Sequence, residues 1–184
     1  MSRTNKNLLF IQGGGSTEDY EADKKLVDSL QTILGETYTV HYPRLPSEST
    51  PDLGRIKQIG DQILQIEGDL ILLGHSLGAS MLLKYLSENE IRKKAIGVFL
   101  IATPFWSGDE EWKDGFKLPE NFADRLSKDV PLFLYHCQDD EEVPFAHFAI
   151  YRKKLPRAIF RELASGGHQL NNDLTVVAND ILSL

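Results

Sequence analysis

The sequence has one cysteine, two methionines and two tryptophans, and no apolar run approaching membrane-spanning length. Cys137 alone can form no internal disulfide and no cysteine-rich metal site. A spanning helix needs about 20 apolar residues, and the core of a signal peptide roughly 7–15. The first apolar run, Leu8–Ile11, has four. Positive charge is also scarce: 20 Lys and Arg face 27 Asp and Glu, for a formal net charge of −7. Nucleic acid and anionic membrane surfaces call for a basic stripe, which this balance disfavours. These absences point to a soluble, cytoplasmic protein, and they leave a protein partner undefined.

What is present supports a packed core. Hydrophobic residues make up 41% of 184 residues, which suits a single domain over 1–184. Short apolar runs alternate with amphipathic ones. Strands are expected at Leu8–Gln12, Tyr38–Tyr42, Asp69–Leu73, Ile96–Ala102, Pro131–His136 and Ala158–Leu163. Helices are expected near Asp19–Leu34, Leu53–Glu67, Leu77–Asn89, Pro119–Lys128, Phe145–Lys154 and Asp173–Leu184. This alternation predicts an α/β fold, a three-layer sandwich whose central, mostly parallel six-stranded sheet is flanked by helices. Chemistry in such folds collects at the carboxyl ends of the strands. Four loops there are unusual: Gly13–Thr17, His75–Gly78, Cys137–Pro144 and Ser165–Gln169.

Gly74-His75-Ser76-Leu77-Gly78 places a G-x-S-x-G sequence between a strand and a helix. A serine on so tight a turn adopts a strained backbone and projects its hydroxyl, and side chains two positions either side would collide. The helix start also offers free N–H groups to an oxyanion. Ser76 is therefore the candidate nucleophile, and His75 is read as a turn residue whose side chain leaves on the other side.

A serine hydroxyl needs a base. The imidazoles are His41, His75, His136, His147 and His168. His41 and His136 lie at strand ends, and His147 falls in a helix with a partly exposed position. His168 follows Ser165-Gly166-Gly167 on the edge where Ser76 belongs, which makes it the candidate base. Its carboxylate partner is sought in Asp139-Asp140-Glu141-Glu142, after the fifth strand. Most of that run is read as a solvated turn, with Asp140 turned inward and Asp139 as the competitor.

These residues resemble the α/β-hydrolase superfamily over nearly the whole chain, through Gly74–Gly78, the Asp140-Glu141-Glu142-Val143-Pro144 turn and Gly166-Gly167-His168. The D-x-x-V-P turn carries the acid in many members, which favours Asp140. The short length is similar to the small serine hydrolases grouped with retinoblastoma-binding protein nine. The resemblance implies an ester-type hydrolase with no metal and no cofactor and with the triad Ser76, Asp140 and His168. Many members carry His-Gly after the first core strand, where this chain has Gln12-Gly13-Gly14-Gly15. The family's oxyanion-binding N–H maps to Gly14, with Gly15 as the alternative and Leu77 as the second donor.

The segment at about 103–128 is expected to form a lid-like insertion, with Phe105 and Trp106 lining a substrate site near Trp112 and Phe116. The reading that follows is hydrolysis of a small neutral ester, since the acidic run discourages anions. Thioesterase, peptidase and acyltransferase chemistry fit the same machinery. A hydrolase-fold binding protein with a silent triad is the alternative of a different class.

Overall fold

The computed structural model describes residues 6–91 and 93–184. In chain order the main elements are β1 (Lys6–Ile11), α1 (Thr17–Leu34), β2 (Tyr38–His41), α2 (Arg55–Gln65), β3 (Leu70–His75) and α3 (Leu77–Glu88). They continue as β4 (Ala95–Ile101), α4 (Phe122–Arg125), β5 (Leu132–Cys137), α5 (Ala146–Lys154), β6 (Ile159–Leu163) and α6 (Thr175–Leu182). The six strands form one sheet in the order β2-β1-β3-β4-β5-β6. Every pairing is parallel.

Side chains alternate along each strand, so each central strand feeds two cores. Leu8, Phe10, Ile71, Leu73, Phe99 and Ile101 pack with Leu26, Leu30 and Leu34 of α1 and with Val177 and Ile181 of α6. Leu9, Ile11, Leu70, Leu72, Val98 and Leu100 pack with Ile59 and Ile63 of α2, Met81 and Leu82 of α3, and Phe148 and Tyr151 of α5. Helices thus cover both faces, and the near-continuous apolar strands have somewhere to bury each side.

After β1 the chain turns to β2 on one side and then returns to β3 on the other. That reversal opens a crevice beyond the carboxyl ends of β1 and β3. The loop after β1 carries Gly13–Gly15, and the loop after β3 carries Ser76.

Most boundaries shift by one or two residues from the sequence expectation, and two of the differences have identifiable reasons. α1 starts at Thr17, not Asp19, because Ser16 and Asp19 form a reciprocal capping box. The helix expected over Pro119–Lys128 shrinks to Phe122–Arg125, since Leu126 turns extended with ψ 144°. Besides α4, the segment between β4 and β5 has one short 3₁₀ turn, Glu111–Lys113. Among the described residues, no helix is long and apolar enough to cross a membrane.

Candidate active site

All six residues of β3 are buried, and the strand passes straight into α3 through Ser76. Ser76 has φ 52° and ψ −124°, a conformation that costs a non-glycine residue about 1–3 kcal/mol. Neighbours hold it there. Its N–H donates to the Ile101 carbonyl at 2.8 Å, and its carbonyl accepts from Ala79 and Ser80 at 3.0 and 3.2 Å. The flanking glycines are sterically required: a Cβ on Gly74 would lie 2.7 Å from the Ala79 Cα, and one on Gly78 would overlap the carbonyl oxygens of Ile11 and Gln12.

His168 is 3% exposed. Its Nδ1 lies 3.0 Å from each Asp140 carboxylate oxygen. Asp140 also accepts main-chain N–H groups from Glu142 and Val143, at 2.9 and 2.8 Å, and one of its oxygens lies 3.3 Å from His136 Nε2. Burial works to raise the Asp140 pKa, but the contacts with His136 and His168 and the two N–H donors hold the carboxyl well below the usual carboxylate range. It is a fixed anion at neutral pH.

Asp139, Glu141 and Glu142 are exposed, as expected of a solvated turn, and they also engage the loop that carries His168. Asp139 accepts the N–H groups of Gly166 and Gly167 at 3.2 and 2.9 Å. Glu141 accepts the His168 N–H at 2.9 Å. Glu142 remains exposed, with Oε2 3.4 Å from His168 Nε2. All four carboxylates therefore engage the loop that carries His168, and Gly166 and Gly167 adopt positive φ to meet them. These contacts are hidden in the sequence because the partners lie about 27 residues away.

The structure places Ser76 and His168 on one edge. The His75 and His168 rings are 4.8 Å apart, centroid to centroid. Among the described residues the Ser76 hydroxyl has no hydrogen bond. The other imidazoles are engaged elsewhere: His41 Nε2 with Asn7 Oδ1 at 2.9 Å, His136 Nε2 with the Val143 carbonyl at 2.9 Å, and His147 Nδ1 with the Phe105 N–H at 3.0 Å.

His75 turns away from Ser76 into the interior, where its Nδ1 lies 2.8 Å from Asp23 Oδ1, both side chains almost wholly buried. The residue-by-residue reading did not find this pair. One signal was available: Asp23 sits at helical spacing from Leu26, Val27 and Leu30, a carboxylate on the apolar stripe of α1. A buried carboxylate on such a stripe calls for a partner.

The glycine loop contributes main-chain donors. Gly13 N–H donates to Asp23 Oδ2 at 2.7 Å, and Gly15 N–H to Asp19 Oδ2 at 3.0 Å. Gly14 N–H has no partner among the described residues, and neither has Leu77 N–H at the start of α3. The same loop touches the elbow, since a Cβ on Gly13 would meet the Ser76 Cβ at 3.4 Å.

Phe105 and Trp106 are half-buried, and the structure pairs them with other parts of the fold. Phe105 packs edge-on against Tyr151. Trp106 meets Trp112 edge-on and lies tilted against Phe116, and its indole N–H donates to Ser80 Oγ at 3.0 Å, one turn along α3 from Ser76. Two open clefts of about 550 and 700 Å³ lie at the other edge of the sheet, near the starts of β4, β5 and β6, and none of the candidate residues lines them. Among the described residues, no group of three or more His, Cys, Asp or Glu is placed to hold a metal ion.

No protein-family model and no curated protein sequence matches this chain. Solved structures do. The ydeN gene product from B. subtilis superposes with a TM-score of 0.72 at 17% identity, covering 98% of each chain. A thioesterase domain from the curacin biosynthetic pathway gives 0.73 at 16% identity, over 98% of this chain and 92% of that one. A structure from work on carboxylesterases of the thaumarchaeon Nitrososphaera gargenis gives 0.69 at 14% identity, over 99% and 90%.

Proposed function

From the α/β-hydrolase fold that the chain shares with these proteins, we propose that it is a serine hydrolase cleaving carboxylic esters of small, neutral substrates. The observation that carries this reading is the strained serine at the end of β3, φ 52°, on the same edge as a buried carboxylate–imidazole pair at 3.0 Å.

In this mechanism Ser76 Oγ attacks the ester carbonyl carbon while His168 Nε2 takes its proton. Asp140 fixes the Nδ1–H tautomer and stabilises the imidazolium that forms. The oxyanion of the tetrahedral intermediate accepts from the N–H groups of Gly14 and Leu77, neither of which has a partner among the described residues. His168 then protonates the departing alkoxide. Water, deprotonated by the same Nε2, attacks the acyl-enzyme and releases the acid and free Ser76. Trp106 and Phe105 form an apolar wall within the 103–128 insertion, favouring a substrate with an apolar acyl or alcohol part. Glu141 and Glu142 beside His168 disfavour an anionic one. A thioester would follow the same steps.

The exposed Glu142 carboxylate near Nε2 favours a second reading, a hydrolase-fold binding protein whose base is occupied. A fluorophosphonate probe separates the two. Labelling of wild type and none of Ser76→Ala supports the hydrolase; an unlabelled, folded wild type overturns it. A series of p-nitrophenyl esters of increasing acyl length then defines the substrate class.

A further inference from the structure

Arg55, the first residue of α2, is fully buried. Among the described residues no carboxylate forms an ion pair with it. Its hydrogen bonds run to main-chain carbonyls: Nη1 to Leu45, and Nη2 to Gly14 and, at 3.5 Å, to Gly13. Nη1 also reaches Gln58 Oε1 at 3.3 Å, while Nε has no partner. Burial pushes its pKa down to about 10, with the charges of Asp19 and Asp52 acting the other way. The group stays cationic at neutral pH. A buried cation lacking a counter-ion is unfavourable by several kcal/mol, so this placement invites a functional account.

The geometry of the trans peptide supplies one. In a planar trans peptide the C=O and N–H point in opposite directions. A guanidinium that draws the Gly13 carbonyl towards α2 therefore turns the Gly14 N–H away from α2. The next peptide is pinned at both ends. Its carbonyl, on Gly14, bonds to Arg55 and lies 3.5 Å from Gln12 Nε2, and its N–H, on Gly15, donates to Asp19 at 3.0 Å. Gly13 N–H is held by Asp23 at 2.7 Å. Only the Gly14 N–H is left to act, in a loop that abuts Ser76. Glycines have the backbone freedom to turn this peptide over, so the orientation depends on what grips the carbonyls. The nearby cation also polarises the peptide, strengthening its N–H as a donor.

We propose that Arg55 is the positioning residue of the oxyanion hole: by binding the carbonyls of Gly13 and Gly14 it fixes the Gly14 N–H towards the oxyanion that forms over Ser76. Gln12 shares the task. Its Oε1 accepts the Leu45 N–H at 2.8 Å, so it ties the glycine loop to the residue whose carbonyl Arg55 binds. The assignment rests on the serine-hydrolase reading above.

Arg55→Lys keeps the charge and loses the planar fork; Arg55→Met loses both. The measurements are p-nitrophenyl acetate turnover per site titrated with fluorophosphonate, thermal unfolding, and the ¹H–¹⁵N resonances of Gly13–Gly15. Loss of an oxyanion donor lowers kcat by about 10²–10³-fold. A fall of at least about 10-fold per titrated site in folded Arg55→Lys, with KM within about twofold, is the expected result. A purely structural arginine would lower the melting temperature and the number of titratable sites, leaving turnover per site intact. That outcome overturns the proposal. If wild type takes no label, the hydrolase reading fails separately, and the Gly14 resonance decides the positioning role. Displacement or broadening of Gly14 in Arg55→Lys, with Leu77 unmoved, supports it; an unchanged Gly14 resonance rejects it.

Discussion

The main-chain carbonyl of His168 accepts a hydrogen bond from His75 Nε2 at 3.0 Å, so the neighbour of the proposed nucleophile holds the loop that carries the proposed base. A carbonyl only accepts, which places a proton on Nε2. Nδ1 faces the Asp23 carboxylate at 2.8 Å and calls for a second proton. Burial disfavours the imidazolium, yet the charge and contact of Asp23 outweigh it and raise the His75 pKa above its ordinary value. Asp23 also takes the Gly13 N–H at 2.7 Å and the Gln169 side chain at 3.2 Å. One buried carboxylate thus ties the glycine loop, the elbow and the His168 loop together.

This pair makes stability pH-dependent in a defined window. His75 has a folded pKa above 6.5, so its contribution is complete below about pH 6.5 and is lost as pH climbs through the raised value. Asp23 is shifted below 3.8, so its contribution holds above that and fades as pH falls through the lowered value. Removing one partner of a buried pair typically costs about 3–5 kcal/mol. Asp23→Asn is expected to lose that order of stability in urea unfolding at pH 5.5 and distinctly less at pH 9. Equal losses at both pH values would show that His75 does not change its charge between them.

Asp140 and Asp139 should separate by kinetics. Asp140→Asn removes the charge that fixes the His168 tautomer, and kcat should fall by about 10⁴-fold. Asp139→Asn weakens the two N–H bonds that shape Gly166 and Gly167, and a loss of about 10-fold or less is expected. The reverse order would move the acid to Asp139.

His168 and His147 make a sharper comparison. His168→Ala should lower turnover by several orders of magnitude, about 10⁴-fold or more. His147→Ala gives up one bond to the Phe105 N–H and should keep kcat within a few-fold. It is expected instead to raise KM modestly, because Phe105 loses its anchor. Initial rates with a p-nitrophenyl ester series test both.

Gly78 is the least replaceable position in the elbow. An added Cβ would strike the backbone carbonyls of Ile11 and Gln12, and neither can move without shifting β1. Gly78→Ala is expected to destabilise by about 1–3 kcal/mol or more, as overpacking does, and to lower activity with it. At Gly35 no atom lies within 4 Å of an added Cβ, and the penalty comes only from φ 67°. Gly35→Ala should therefore cost about 1 kcal/mol and leave turnover unchanged; chemical denaturation of both variants gives the comparison.

The sequence by itself determined the layering and the linear order of the site. Runs such as Leu70–Leu73 and the spacing of Leu26, Leu30 and Leu34 dictate buried strands and one-sided helices, because apolar period is a local property of the chain. The elbow was legible for the same reason: Gly74 answers to a steric demand set within five residues, by Gly78 and Ala79, whereas Gly78 also answers to the Ile11 and Gln12 carbonyls at the end of β1. Tertiary structure alone decided the pairings. Asp23 with His75, Asp139 with the Gly166–Gly167 N–H groups, and Arg55 with the Gly13 and Gly14 carbonyls join residues 27 to 52 positions apart. A buried charge can be recognised in sequence only as an anomaly on an apolar stripe. Which dipole or counter-charge satisfies it depends on how the strand ends converge, and that is fixed only when the sheet closes.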